Sequence, residues 1–334
     1  MPRISVLLPV RNAAPFLEAC LASLAAQTLG NHEVVVVDDG STDETPRLLQ
    51  GIVDTRVRVV RVQARGLVAA LDAGLAAVRG SLLARMDADD VAYPERLAIQ
   101  AARLEADATV DILGSRVRLA GGTPRGNAGM RSYVEWSNGL LDHDAIVSDI
   151  FVESPLVHPS VAMRTEALRG LGGYRDVGGP EDYDLWLRAH AAGLRFAKTS
   201  EVLLEWRDRP ERLTRTDPRY LPGRFRDLKI AALLAGHLQR PDRTIVVWGA
   251  GPIGKGWARE LTARGRRVAA FVEVDPRKLG QEIGGVPVVG VASAARYRGA
   301  LHLAAVGNSE ARGRIRGVAA ELDLVDGRDL VAVA

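Results

Sequence analysis

Residues 85–97, RMDADDVAYPERL, place three aspartates within four positions, directly after the apolar pair Leu82 and Leu83. Side chains two apart on an extended chain share a face, so Asp87 and Asp89 would present their carboxylates together while Asp90 points away or caps the next turn. Two hard oxygen donors on one face suit Mg²⁺ or Mn²⁺, with phosphate oxygens and water completing the shell. The same letters are also good helix-capping chemistry ahead of Pro94. Spacing alone leaves both readings open.

Two further segments have residue types that could do chemistry. VVDDGSTDET, residues 36–45, closes an apolar run with Asp38 and Asp39, where a carboxylate could accept hydrogen bonds from a nucleobase or a ribose. A plain turn built from Asp, Gly and Ser explains it equally well. GGPEDYDLWLR, residues 178–188, starts a helix at Glu181 and Asp182. A helix amino end favours an ionised carboxylate, the state a general base needs, and capping is again the alternative.

These residues need a scaffold, and the flanking pattern supplies one. Apolar runs alternate with helical periodicity: ISVLLPV, a helix over residues 15–26, EVVVVDDG, VRVVRV, a helix over 67–78, and SLLARM. The spacing predicts an α/β domain with a mainly parallel sheet. Ser41 and Glu44 match a capping box opening a helix through Leu48 and Leu49. Residues 110–207 break into short strands and glycine turns, with the clearest helix at 181–193. A boundary is expected near 236–243, giving a first domain at 1–206, a basic helical linker at 207–241 and a second α/β domain at 242–334. In the latter, Gly249, Gly251 and Gly254 follow the strand TIVVW as G-x-G-x-x-G, and Glu273 ends the next strand where a dinucleotide fold places an acid for ribose.

Composition narrows the field. The chain has 334 residues, 47% hydrophobic and 25% charged, which is globular composition of two-domain length. The net charge of +3 gives no reason to expect a nucleic-acid partner. MPRISVLLPV reads as a strand and not a signal peptide, no apolar run is long enough to span a bilayer, and the single cysteine, Cys20, falls on an apolar helix face. A cytoplasmic protein is expected. The one local charge excess is residues 207–229, with eight basic residues against four acidic. It reads as a solvated linker or as a surface meeting phosphate-bearing lipid or acceptor.

The order PVRN, VVDDGSTD, MDADD with YPERL, HPS and PEDYDLWLR resembles the inverting family 2 glycosyltransferases of the GT-A type, over residues 1–207. The resemblance implies a nucleotide diphosphate sugar donor, a divalent cation (Mn²⁺ or Mg²⁺), and a saccharide or lipid-linked acceptor at the inner face of a membrane. Carried over by position, it makes Asp182 the catalytic base and Asp89 the metal ligand. Pro9, Arg11, Asp39, Arg65 and Asp87 fall at the donor, His158 near the acceptor or the donor sugar, and Glu181 at the acceptor or in a secondary position. The family more often has an aromatic residue where Arg11 stands, and Asp208 replaces a histidine that relatives often carry after an aromatic-Arg pair. Residues 242–334 resemble the small Rossmann-like domains at the front of some sugar acyltransferases, through VVWGAGPIGKG, FVEVDPRKLG and GGVPVVG. That implies a nucleotide or dinucleotide ligand at Gly249, Gly251, Gly254 and Glu273, or an oligomerisation role. The alternatives are an NAD(P)-dependent oxidoreductase or a nucleotide-sensing binding protein acting through GAGPIG.

Overall fold

The computed structural model describes residues 1–121 and 128–334, which divide into two compact units. The first comprises residues 1–146 and 155–224; the second comprises 147–154 and 225–334. The division between the units falls within the stretch 207–241. Its residues up to Arg224 group with the first unit and those from Phe225 with the second.

The first unit is built on an eight-stranded sheet. Strands β1 (Ile4–Val10), β2 (His32–Asp39), β3 (Val57–Val62) and β4 (Leu82–Arg85) are parallel in the order β3-β2-β1-β4. Every residue of β1, β2 and β4 is buried, which is why these strands read as unbroken apolar runs and not as alternating ones. Strand β5 (Val91–Ala92) pairs antiparallel with β8 (Phe196–Asp208); β8 runs parallel to β6 (Ile112–Gly121), and β7 (Ala162–Arg164) lies antiparallel between β4 and β6. The chain leaves β1 for β2 on one side of the sheet and returns from β3 to β4 on the other side of β1. The carboxyl ends of β1 and β4 thus form a switch point, where open α/β sheets bind ligands.

Close packing holds those strand ends in place. The Leu67–Ala77 helix lies so near the sheet that a Cβ on Gly74 would come within 2.0 Å of Leu7 Cδ1. Cys20 is fully buried among Leu17, Leu24 and Leu97 in the core, as its helix position predicts. The capping box does not form. The helix is Thr45–Gln50 with no side-chain cap; Ser41 Oγ instead accepts from Asn12 N at 3.0 Å and Thr45 Oγ1 from Ala13 N at 2.8 Å. These residues tie the loop after β2 to the loop after β1, and that tertiary demand overrides the local one.

The second unit is a six-stranded sheet of β9 (Ile245–Trp248), β10 (Val268–Glu273), β11 (Glu282–Ile283), β12 (Val286–Gly290), β13 (Leu301–Ala304) and β14 (Leu330–Ala332), in the order β11-β12-β10-β9-β13-β14. All neighbours are parallel except β11 and β12. The excursion 147–154 belongs to this unit: Asp149 pairs with Arg316 at 2.7 Å, and Val152 O accepts from the buried Lys229 Nζ at 2.7 Å. Among the described residues, no helix is long and apolar enough to cross a membrane.

Candidate active site at the strand ends of the first unit

The turn after β4 carries the acidic group. Asp87, Asp89 and Asp90 each offer a carboxylate oxygen, all within 4.8 Å of one another. Strand β5 follows at once, and its pairing with Leu204 and Glu205 anchors the turn to the end of β8. Asp90 was expected to point away or cap the next turn, and its side chain is instead bound to β8. It is 1% exposed, with Oδ1 accepting from Arg207 N at 2.9 Å and Oδ2 buried with no hydrogen-bond partner. Burial, reinforced by the charges of Asp87 and Asp89, holds its carboxyl well above the usual carboxylate range.

Each of the other two aspartates has an arginine. The buried Arg85 ion-pairs with Asp87, and Arg209 pairs with Asp89 at 2.6 Å. Three carboxylates this close, one of them with an orphaned buried oxygen, form an all-oxygen donor set that suits a hard divalent cation. The residues present fit that group.

A second group of polar residues lies at the ends of β1 and β2. Asp39 is 3% exposed; Oδ1 accepts from Arg65 N at 2.8 Å, and Oδ2 from Gly66 N at 3.0 Å and Arg11 Nη1 at 3.2 Å. This carboxylate therefore organises the loop that carries Arg65 and brings Arg11 to it. The Arg65 side chain itself is exposed, and Pro9 is buried within β1. The register sets Val10 beside Asp38 and Leu7 beside Arg85, so the chain ends bearing Arg11, Asp39 and Asp87 emerge from adjacent strands.

Glu181 and Asp182 open the Glu181–Ala191 helix, with Pro180 before it and Asp184 also in its first turn. Asp182 Oδ1 accepts from Tyr183 N at 2.8 Å. Glu181 is 2% exposed and accepts from Tyr220 at 2.8 Å; burial raises its pKa. His158 is 6% exposed, with Nε2 3.0 Å from the Tyr174 hydroxyl and Nδ1 3.8 Å from Glu181. Burial, then the charge of Arg85, lowers its pKa well below the ordinary range, so this imidazole is neutral. Arg85 lies within electrostatic reach of Asp87, Glu181 and Tyr174 together, which links the acidic turn to the helix of Asp182.

Four of these residues escaped the sequence reading: Arg85, Tyr174, Arg209 and Tyr220. Arg85 stands two positions before Asp87, and strand spacing could have paired them. The others come from distant segments. In the basic tract that holds Arg209 and Tyr220, Arg207 pairs with Glu205, Arg209 with Asp89, Arg215 with Asp208 and Arg219 with Asp217. Arg212 lies over the Trp206 ring at 4.1 Å. Asp208, where relatives often have histidine, is buried in its pair with Arg215.

In the second unit, Gly249 has φ +99°, and a Cβ on Gly254 would lie 1.8 Å from Gly249 O, so both glycines are required by packing. Nothing lies within 4 Å of a Cβ on Gly251. Glu273 accepts from Ala250 N at 3.0 Å, Val274 N at 2.9 Å and Lys278 Nζ at 3.0 Å, which commits its carboxylate within the unit.

Comparison with known proteins places these features in a family. Residues 5–171 match the model of Glycosyl transferase family 2. An uncharacterized glycosyltransferase of Haemophilus influenzae is 29% identical over 213 residues, covering 62% of this chain, which spans 65% of that relative's length. The UDP-Gal:alpha-D-GlcNAc-diphosphoundecaprenol beta-1,3-galactosyltransferase of Escherichia coli is 28% identical over 62% of this chain and 74% of its own. Among solved structures, Staphylococcus aureus TarS 1-349 in complex with UDP-GlcNAc aligns with a TM-score of 0.56 at 20% identity, over 70% of this chain and 67% of that one. The mannosyltransferase PcManGT from Pyrobaculum calidifontis, in complex with GDP-Man and Mn²⁺, aligns with a TM-score of 0.51 at 21% identity, over 96% of this chain and 80% of that one. These two share the fold.

Proposed function

The chain belongs to glycosyl transferase family 2 and is a glycosyltransferase, and from that premise we propose that it transfers a sugar with inversion, in a metal-dependent reaction, from a nucleotide diphosphate sugar to an acceptor hydroxyl in surface polysaccharide or glycolipid assembly. The observation that supports this reading best is the place of Arg85. One buried guanidinium pairs with Asp87 of the acidic turn and acts on Glu181, the neighbour of Asp182.

Displacement at an anomeric carbon needs a base on one face of the sugar and a stabilised leaving group on the other. Asp182 takes the proton of the acceptor hydroxyl, and the helix amino end favours its ionised form. Asp89, with Asp87 beside it, would hold the divalent cation, which would supply Lewis-acid stabilisation of the departing diphosphate. Asp39, Arg11, Pro9 and Arg65 shape the nucleoside pocket, and the neutral His158 with Glu181 fixes the start of the base helix. A single in-line attack converts an α-linked donor into a β-linked product.

The Escherichia coli relative acts on a diphosphoundecaprenol-linked sugar, and PcManGT was captured with Mn²⁺; both favour a lipid-linked acceptor and a bound cation here. The test is a screen of nucleotide sugar donors with and without Mn²⁺, scored by release of nucleotide diphosphate. Mn²⁺-dependent release from one donor is expected. Equal release in the presence of a chelator would remove the metal from the mechanism.

A further inference from the structure

Residues 208–222 form a strap that starts at the end of β8 and returns to the base helix. At its near end, both Nε and Nη2 of Arg209 donate to the same oxygen, Asp89 Oδ2, at 2.9 and 2.6 Å. The guanidinium is stacked on the Phe16 ring, 4.1 Å from its centroid. Arg209 O accepts from Arg215 Nη1 at 2.7 Å, and Arg215 in turn pairs with the buried Asp208 at 2.8 Å. At the far end, Tyr220 holds Glu181. The arginine is thus built into its position, and the two N–H groups it donates take both lone pairs of Asp89 Oδ2.

We propose that Arg209 is a tethered counter-cation, occupying the cation position at Asp89 in the unloaded enzyme and competing with the divalent ion for that carboxylate. This rests on the reading of Asp89 as metal ligand. A guanidinium neutralises the Asp89 carboxylate of the crowded acidic turn without a bound ion. It also lowers the apparent metal affinity by the fraction of molecules in which Asp89 is engaged. When the ion binds, Arg209 gives up Asp89 while the strap stays anchored through Tyr220 and Glu181. Arg209 is in these terms a positioning residue that sets how much cation the site needs.

The test is Mn²⁺ binding to the full chain without donor, read as free Mn²⁺ by electron paramagnetic resonance. R209Q is expected to bind Mn²⁺ up to about fivefold more tightly than the unsubstituted protein, the size expected for removing a part-exposed ion-pair competitor. R209K, which keeps the charge, is expected to stay near the unsubstituted affinity. Equal or weaker binding by R209Q overturns the proposal. D89N, measured alongside, separates the two readings. If D89N abolishes binding and R209Q changes nothing, only the counter-cation fails. If D89N leaves Mn²⁺ affinity intact, the assignment of Asp89 fails as well.

Discussion

Tyr220 donates its phenolic hydrogen bond to Glu181 Oε2 at 2.8 Å, joining a short helical turn after β8 to the first residue of the helix that carries Asp182. Glu181 is 2% exposed, and this bond is among the effects that keep its raised pKa from rising further. Removing the donor leaves a buried oxygen to find another partner, so Tyr220→Phe should lower stability by about 1–2 kcal/mol. Urea denaturation measures it. An unchanged midpoint and slope would mean that water takes the place of the hydroxyl.

Asp182→Asn should keep nucleotide sugar binding and lose transfer. General-base catalysis contributes roughly 10²–10⁴-fold, and the amide cannot accept the proton. Calorimetric binding of the donor together with turnover separates the two properties. Near-normal transfer by this variant would remove Asp182 as the base.

His158 should make stability fall in mild acid. Its folded pKa is depressed, so its contribution is present above the unfolded value of about 6.5 and is lost as pH falls below that, where the unfolded chain takes a proton that the fold refuses. The raised pKa of Glu181 acts in the opposite sense, its contribution being present at low pH and lost as pH rises. Comparison with His158→Asn isolates the histidine. The stability gap between the two proteins should narrow from pH 7 to pH 5, by up to about 1.4 kcal/mol per pH unit. A constant gap in thermal melts across that range would contradict a buried neutral imidazole.

Gly74→Ala sets two effects against each other. In an open helix alanine gains about 1 kcal/mol over glycine. Here the new Cβ would lie 2.0 Å from Leu7 Cδ1 and 3.0 Å from Val37 Cγ2, beneath the strands that carry the site. Overpacking of this kind costs about 1–3 kcal/mol, so net destabilisation is expected, and a raised melting temperature would show that Leu7 can move aside.

The glycine loop of the second unit can be dissected by two substitutions. Gly254→Ala drives a Cβ into Gly249 O and should destabilise the unit, while Gly251→Ala meets nothing within 4 Å and should leave melting unchanged. A nucleotide bound at the loop would be lost in Gly251→Ala without a change in stability. Titration of nucleotides against both proteins reads this out, and equal binding by Gly251→Ala would argue against a ligand approaching that glycine.

The parallel strands were legible because burial on both faces writes itself as continuous Val, Leu and Ile, and the carboxylates at their ends could be found by position. Three things were not legible. The role of Ser41 was set by a loop 29 residues away in the chain, through Asn12 N, and Glu44 pairs with Arg47 instead of capping. Asp90 was read as a cap because its burial depends on β8, and its Arg207 partner lies 117 residues on. The ion pairs of the arginines in 207–229 could not be read, and the tract stood as a solvated linker or a phosphate-meeting surface, because a sequence displays charges without their partners. Their carboxylates either stand so close by that they read as linker composition, as Asp208 and Asp217 do, or lie as far off as Asp89.

The excursion 147–154 gives the chain a timing problem. Asp149 leaves the ribosome 167 residues before Arg316, its partner. At roughly 5–20 residues per second that interval is about 8–33 s. During it, the segment leading to Pro155 and His158 has no second unit to bind. The excursion can therefore reach its partner only once Arg316 has been made, although it lies in the chain well ahead of the rest of the unit it belongs to.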